Sequence, residues 1–285
     1  QLGYRPNQMA RGLKRGQTRL IGMLVADILN PYSVAVMHGV ETACRQHGYS
    51  LVVCNTNRDD EQERHHLRAL QSYNVEGLIV NTLGHHPGEL LTVMRDLPIV
   101  LVDRQLPEIN ADLVGLDNAQ AMQQGVEHLH ARGYRDILAV TEPLDGTSSR
   151  AERVQALTAC VQSRADMQCE VVQTGPGLSQ ALIRFLGSNG TRPKALFTLN
   201  GVATLAVTTA LREAGHALFG NVGVIALDDL DWYPLVGNGI TALAQPTERI
   251  GMAAFEHLLS RLHGEQGAAR RIDFKASLII RGSTP

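Results

Sequence analysis

Short apolar segments alternate with amphipathic segments through most of this chain, and no other feature of the sequence restricts its fold as strongly. We predict strands for the apolar segments and helices for the amphipathic ones, because a strand buried on both faces is apolar throughout. The predicted strands are residues 20–26, 51–54, 77–80, 99–102, 113–116, 136–140, 170–172, 195–199, 222–227, 241–244 and 277–280, and the predicted helices are 33–47, 61–73, 118–132 and 150–163. This β-α-β-α order is typical of a parallel sheet with helices on both faces.

The pattern starts again after Gly133, which indicates two doubly wound units in tandem. A chain of 285 residues, of which 44% are hydrophobic, is large enough to bury both cores. A single sheet of about ten strands would account for the same segments but is less usual. We therefore predict an α/β protein with two doubly wound parallel-sheet subdomains.

Composition and cysteine spacing argue against several classes of protein. No apolar segment approaches the roughly 20 residues that cross a bilayer, and no signal peptide is visible, so we predict no membrane partner. The cysteines are widely separated and show no CxxC spacing, which favours neither a disulfide framework nor a zinc site: Cys44, Cys54, Cys160 and Cys169. A reducing cytoplasm is the compartment that this usage predicts.

The first 20 residues contain no Asp or Glu, although the whole chain has a net charge of -2. Their positive residues are Arg5, Arg11, Lys14, Arg15 and Arg19. Charge of one sign in one segment indicates contact with a polyanion. Pro6 suits the first turn of a helix over residues 7–14, but a helix of that length is marginal alone and needs a partner. The alternative is a disordered basic tail.

The residues Tyr4-x-Pro6-Asn7-x-x-Ala10-Arg11-x-Leu13, followed by Thr18-x-x-Ile21-Gly22, resemble the hinge segment of the LacI/GalR family of bacterial transcription regulators. In that family a helix-turn-helix headpiece precedes the hinge, and we expect it to be missing from this chain. The resemblance implies that two hinge helices of a homodimer enter the minor groove of operator DNA, with Leu13 as an apolar wedge. The residues implied to contact DNA are Arg5, Asn7, Arg11, Leu13 and Lys14, with Arg15 also near phosphates.

The family resemblance extends over essentially the whole chain, through Val114-x-x-Asp117-Asn118, Ile225-x-x-Asp228-Asp229 and Leu243-x-Gln245-Pro246. It implies a core like that of periplasmic binding proteins, with a ligand cleft between the two subdomains. It also implies the boundaries: a hinge segment over 1–16, an N-subdomain over 17–116 with 247–274, and a C-subdomain over 117–246 with 275–285.

Polar residues follow the predicted strands, where ligands bind in open α/β sheets. From this position we select as ligand-binding candidates Tyr32, Ser33, Asn81, Asp103, Arg104, Arg150, Arg153, Asn200, Asp228 and Gln245. All of these except Arg104 and Arg150 match positions that line the effector pocket in the family. Each has a structural alternative: Asp228 and Asp117 as caps, Asn81 and Asn200 as turn residues, and Arg150 and Arg153 as a solvated helix face.

The effector is predicted to be a sugar or a sugar acid of the gluconate or ketogluconate kind. Gly201 stands where many family members have Asp, Thr247 stands where some have an aromatic residue, and aromatic residues are only 4% of the chain. Little stacking surface argues against a purine or an aryl glycoside. Arginines at 104, 150 and 153 favour an acidic group on the ligand, since arginine forms bidentate pairs with carboxylates and phosphates.

The hypothesis is an effector-controlled repressor that forms a homodimer through residues 34–44 and 230–233, although Trp232 and Tyr233 are equally compatible with the core. The runner-up is a periplasmic-type sugar-binding protein of a transport system, which would have no use for the basic hinge. A sugar-modifying enzyme is less well supported, because the chain has no GxSxG, P-loop or HExxH motif. We predict no catalysis, no cofactor and no metal site, and we interpret the 11 histidines as surface residues.

Overall fold

The protein is described by a computed structural model that covers residues 17–85, 87–187, 192–215 and 222–285. Its strands are β1 (Leu20–Val25), β2 (Ser50–Asn55), β3 (Gly77–Val80), β4 (Ile99–Val102), β5 (Asp112–Leu116), β6 (Asp136–Thr141), β7 (Gln168–Gln173), β8 (Lys194–Thr198), β9 (Val222–Leu227), β10 (Thr241–Ala244), β11 (Arg271–Phe274) and β12 (Ser277–Ile279). Its helices are α1 (Pro31–Gln46), α2 (Asp60–Ser72), α3 (Pro87–Val93), α4 (Asn118–Ala131), α5 (Ser148–Gln162), α6 (Leu178–Gly187), α7 (Gly201–Glu213) and α8 (Thr247–Leu262).

These elements form two compact units, each with its own sheet. The first unit comprises the described residues up to Leu29, Ser33–Gly115 and Thr247–Ile272, and the second comprises Asn30–Tyr32, Leu116–Pro246 and Asp273–Pro285. The first sheet has six strands in the order β11-β5-β4-β3-β1-β2, and the second has six in the order β12-β10-β9-β8-β6-β7. The predicted doubly wound α/β architecture is confirmed, and the alternative of a single sheet is wrong.

Both sheets are parallel over most of their width. In the first, Leu24 of β1 lies beside Val80 of β3 and Cys54 of β2. In the second, β6 pairs in parallel with β7 and β8, whereas β12 is antiparallel to β10. Since parallel strands end at the same edge, the residues that follow them in each unit are brought together there.

Four helices and one strand that the sequence pattern did not single out complete the fold: α3, α6, α7, α8 and β11. Helix α7 is rich in valine and threonine, whose branched side chains lower helix propensity. Its buried residues include Ala203, Val207 and Leu211, which pack in one core cluster with Leu196 and Val224. Burial against the sheet therefore stabilises a segment whose local preference for helix is weak.

Helices α1 and α8 of the first unit approach each other at two glycines. A β-carbon on Gly39 would lie 2.2 Å from the carbonyl oxygen of Glu248, and one on Gly251 would lie 2.1 Å from that of Val36. Real β-carbons do not approach atoms so closely. Only glycine at both positions allows this separation of the two helices.

Two residues lie in the core of the second unit. The sequence left the position of Tyr233 open and assigned His128 to the surface. Tyr233 is fully buried and its hydroxyl donates to Thr204 Oγ1 over 2.8 Å, so it is a core residue. The interpretation of every histidine as a surface residue is wrong for His128, which is buried and lies 2.7 Å (Nε2) from Thr284 Oγ1. Burial lowers the pKa of His128, and the positive charge of Arg132 lowers it further.

Candidate functional site

The carboxyl-end edge of the second sheet carries a set of polar side chains on consecutive strands. Glu142 follows β6, Asn200 lies two residues after β8, Asp228 follows β9 and Gln245 follows β10. The pairing of β6 with β8, β8 with β9 and β9 with β10 makes these four strand ends neighbours. Helix α5 adds two arginines, Arg150 and Arg153, which are buried. The alternative of a solvated helix face does not describe these two arginines.

Two neutral oxygen acceptors orient Arg153. Its Nε donates to Asn118 Oδ1 over 2.8 Å, and its Nη1 donates to the carbonyl oxygen of Leu199 over 3.3 Å. Asn118 is in turn oriented by Glu152, whose Oε2 accepts from Asn118 Nδ2 over 2.8 Å. With only 5% of its surface exposed, Arg153 has a fixed guanidinium plane, which suits bidentate recognition of a carboxylate.

Arg150 has a different environment, because it forms an ion pair with a buried carboxylate. Its Nη2 lies 2.9 Å from Glu142 Oε2, and its Nη1 donates to the carbonyl oxygen of Pro143 over 2.6 Å. The same Glu142 oxygen accepts from Asn200 Nδ2 over 2.6 Å. Glu142 therefore matches the charge of Arg150 and orients the amide of Asn200.

Asn200 and Asp228 also order the beginning of helix α7. Asn200 is its N-cap residue, and Asn200 Oδ1 accepts from the backbone N–H of Ala203 over 2.8 Å. Asp228 Oδ2 accepts from the N–H of Gly201 over 2.8 Å, and its Oδ1 accepts from Gln245 Nε2 over 2.6 Å. The structural alternative thus describes part of what these residues do, since they cap a helix at the same edge that carries Arg153.

The corresponding edge of the first sheet carries Asn81, Asp103 and Arg104. Asn81 is buried, and its Nδ2 donates to the carbonyl oxygen of Val102 over 3.0 Å. Arg104 Nη1 donates to the carbonyl oxygen of Thr82 over 2.9 Å, and its Nε lies 3.8 Å from Asp103 Oδ2. The first unit therefore also places polar groups at the end of its sheet.

Glu63 of α2 fixes the loop that follows Asn81. Its carboxylate accepts from Thr82 Oγ1 over 2.8 Å and from the backbone N–H of Leu83 over 2.7 Å. Burial raises the pKa of Glu63, while these two hydrogen bonds oppose the rise. The sequence did not single out Glu63, because its partners are about 20 residues away along the chain.

Tyr32 and Ser33 lie in the first turn of α1. The backbone N–H of Tyr32 donates to Asn30 Oδ1 over 3.1 Å, which fixes the start of the helix, and Ser33 is buried. Their assignment as ligand contacts stays a prediction, as it does for the other candidates. The predicted DNA-binding residues lie outside the described residues: Arg5, Asn7, Arg11, Leu13 and Lys14.

Glu142, Asn118 and Glu152 are site residues that sequence reasoning missed. Glu142 directly follows a strand, so the rule that selected Asp103 and Asp228 would also have selected it.

Within the described ranges, no three His, Cys, Asp or Glu side chains are arranged to hold a metal ion. No helix among the described residues is long and apolar enough to span a bilayer.

Comparisons with known proteins agree with this architecture. Residues 18–281 match the family model of periplasmic binding proteins and the sugar binding domain of the LacI family. The chain is 78% identical to the HTH-type transcriptional regulator PtxS of Pseudomonas putida, over 99% of this chain and 84% of that protein. It is 38% identical to the HTH-type transcriptional regulator KdgR of Bacillus subtilis, over 99% and 85% of the two chains.

A solved structure has the same fold at low sequence identity. The lac repressor dimer bound to operator and the anti-inducer ONPF superposes with a TM-score of 0.85 at 20% identity, over 99% of both chains. At this identity the likeness concerns the fold alone.

Proposed function

The chain belongs to the family of periplasmic binding proteins and LacI-type sugar binding domains, and from this premise we propose that it binds a sugar acid through Arg153 as the effector of a transcriptional regulator. It is the effector-binding core of a LacI-type regulator, and its relatives are transcriptional regulators. The runner-up, a periplasmic-type sugar-binding protein, is not favoured by these relatives. What we add is the class of effector and the residue that recognises it.

The position of Arg153 carries the proposal. A guanidinium that is buried at the end of a sheet, with its plane fixed by Asn118 and the carbonyl oxygen of Leu199, is preorganised for a planar anion. Both of these acceptors are neutral oxygens, and the two bonds fix the orientation of the guanidinium. The polar residues nearby on neighbouring strand ends suit the hydroxyl groups of a sugar: Asn200, Asp228 and Gln245.

A monocarboxylate of a hexose, such as gluconate or 2-ketogluconate, combines these two features in one small molecule. Aromatic residues make up 4% of the chain, which leaves little surface to stack on a purine. We propose further ligand contacts at residues that follow a strand or begin a helix: Asn81, Asp103, Tyr32 and Ser33.

Operator DNA and a second copy of the chain are the proposed macromolecular partners, and the cytoplasm, where operator DNA lies, is the proposed compartment. The lac repressor structure is a dimer bound to operator, which supports both partners by fold. An effector changes operator affinity only if it binds the two regulatory states with different affinity, and the effect is then reciprocal.

Calorimetric titration tests the effector proposal. We expect gluconate or 2-ketogluconate to bind more tightly than glucose, and Arg153→Ala to weaken acid binding by about 100-fold, since a charge-assisted bidentate pair is lost. Arg153→Lys keeps the charge but loses the planar fork, and an intermediate loss is expected.

Arg212→Ala is the matched control, because Arg212 is exposed in the last turn of α7 and its removal changes the net charge equally. It should leave the affinity for acids within about twofold. If glucose binds as tightly as the acids, or if Arg153→Ala binds them as the wild type does, the proposed function is wrong.

A further inference from the structure

A buried carboxylate of helix α2 holds the loop that follows strand β3. Glu63 is 2% exposed, and its Oε1 accepts from Thr82 Oγ1 over 2.8 Å, while its Oε2 accepts from the backbone N–H of Leu83 over 2.7 Å. Thr82 Oγ1 accepts in turn from the backbone N–H of Gly84 over 3.1 Å. The two oxygens of Glu63 therefore order three consecutive residues of this loop.

The loop ordered by Glu63 borders two of the ligand-binding candidates. Asn81 directly precedes Thr82, and its Nδ2 donates to the carbonyl oxygen of Val102 over 3.0 Å. The carbonyl oxygen of Thr82 accepts from Arg104 Nη1 over 2.9 Å. Thr82 is therefore bound by Glu63 through its hydroxyl group and by Arg104 through its carbonyl group. A continuous series of contacts thus leads from α2 to the carboxyl-end edge of the first sheet.

The ionisation of Glu63 works against the stability of the fold. Burial raises the pKa of Glu63, and the negative charge of Asp60 on the same helix adds to the rise. The hydrogen bonds from Leu83 and Thr82, and then the positive charge of Arg104, oppose it. Because the folded chain holds this proton more tightly than the unfolded chain, stability decreases as the pH rises through the raised pKa. The charge of Glu63 therefore does not stabilise the fold, which indicates another role for the residue.

We infer that Glu63 is a positioning residue of the effector site, which holds the loop beside Asn81 and Arg104 in the conformation that binds the effector. The inference rests on the proposed function, in which Asn81 is a ligand contact. A contact that is ordered before the ligand arrives adds to affinity, because less conformational freedom is lost on binding. Without Glu63, binding has to order this loop, and affinity falls.

Glu63→Met tests the inference directly, because methionine has a similar length and favours a helix but lacks the two carboxylate oxygens. We expect its Kd for gluconate in calorimetric titration to rise by about tenfold. A merely structural role would ease unfolding in urea but leave the Kd unchanged, since a moderately destabilised variant is still almost entirely folded. Glu61→Met is the matched control, because Glu61 is exposed on the same helix and pairs with Arg64. It should keep the Kd within about twofold.

Glu63→Gln is the conservative variant and should retain binding. Its Oε1 can accept from the N–H of Leu83, and its Nε2 can donate to Thr82 Oγ1, so both loop contacts persist without a charge. We expect a Kd within about threefold of the wild-type value. The variant should also be at least as stable as the wild type at neutral pH, since no buried group has to ionise. A Kd as high as that of Glu63→Met would overturn the inference.

Thr82→Val removes the other end of the hydrogen bond and keeps the test decisive if Glu63→Met does not fold. Valine has the shape of threonine without its hydroxyl group, so the Kd should rise about fivefold, whereas Thr82→Ser should stay within about twofold of the wild type. In an Asn81→Ala background, Glu63→Met should raise the Kd less than it does alone, because residues that act together are not additive. A wild-type Kd in folded Glu63→Met or Thr82→Val would contradict the role of Glu63.

Glucose and gluconate together separate this inference from the proposed function. If the wild type prefers gluconate and Arg153→Ala removes that preference, but Glu63→Met binds gluconate as the wild type does, only the role of Glu63 is wrong. If the wild type binds glucose as tightly as gluconate, the sugar-acid proposal is wrong, and the glucose Kd of Glu63→Met decides the role of Glu63: a raised value supports it and an unchanged value excludes it. If neither sugar binds, both are wrong.

Discussion

Asp103 and Asp228 occupy equivalent places in the two sheets and have the same unusual backbone. Each follows a strand in the third place from one edge, and each has a left-handed φ, of 66° and 75°. The N–H of Asp103 donates to Val114 O over 3.0 Å, and that of Asp228 donates to Leu243 O over 3.1 Å. Aspartate tolerates this conformation better than most residues, and such strain is concentrated at functional sites. The two sheets thus have the same local conformation at the edge where open α/β sheets in general bind ligands.

The buried His128 makes the stability of the second unit depend on pH. Its pKa is lowered by burial, so below the ordinary histidine pKa of about 6.5 the unfolded chain takes up a proton that the folded chain does not. Stability should therefore be complete above about pH 6.5 and fall as the pH drops to the lowered pKa. The loss is about 1.4 kcal/mol for each pH unit that separates the pKa of the folded chain from that of the unfolded chain.

Urea unfolding at pH 7.5, 6.5 and 5.5 measures this effect. His128→Gln, whose amide can still bond to Thr284, should lose part of the acid dependence seen in the wild type. His38→Gln, on the exposed side of α1, should keep it. Identical pH profiles for the wild type and His128→Gln would contradict the prediction.

At the scale of elements, helices α1 and α8 approach each other to backbone distance at Gly39 and Gly251. Gly251→Ala would place the alanine β-carbon 2.1 Å from the carbonyl oxygen of Val36, which is too close. The helices must then separate, and we expect unfolding to become easier by about 2–3 kcal/mol, as for overpacked cores. Thermal and urea unfolding measure the loss.

Gly88→Ala is the control for this element, because a β-carbon at Gly88 of α3 would meet no atom within 4 Å. Alanine favours a helix over glycine by up to about 1 kcal/mol, so this variant should be as stable as the wild type or more so. Equal stability of the two alanine variants would show that the contact between α1 and α8 is not tight.

At the scale of the whole molecule, self-association is the property that we expect to depend on the outer face of α1. Val36, Val40 and Ala43 of this helix are buried in the first unit, whereas Val34 is 42% exposed. We expect the protein to be a dimer, and Val34→Glu to raise its dimer Kd by at least about tenfold, since a charge is costly in an apolar interface core.

Sedimentation velocity across a range of concentrations measures the dimer Kd. Tyr73→Glu is the control, because Tyr73 is also exposed in the first unit but lies at the end of α2. It should dimerise as the wild type does. A monomeric wild type, or an unchanged dimer in Val34→Glu, would remove α1 from the proposed interface.

The sequence by itself determined the layered α/β architecture and the edge at which polar residues collect. The spacing of apolar residues and the length of an apolar segment are local properties of the sequence. Four strands were therefore predicted at the bounds that the structure has: β3, β4, β9 and β10. Position after a strand is also local, which is why Asn200 and Asp228 were selected before their contacts were known, whereas Arg153 was preferred because of the family resemblance.

Only the tertiary structure decided which charges are matched and which polar residues are buried. Glu142 and Arg150 are eight residues apart, Asn200 reaches Glu142 across 58 residues, and His128 reaches Thr284 across 156. These pairings depend on the order of the strands and on the way α4 and α5 pack, neither of which is contained in a local pattern. The same reason applies to Gly39 and Gly251, whose need for glycine arises from the distance between two helices that are far apart in the sequence.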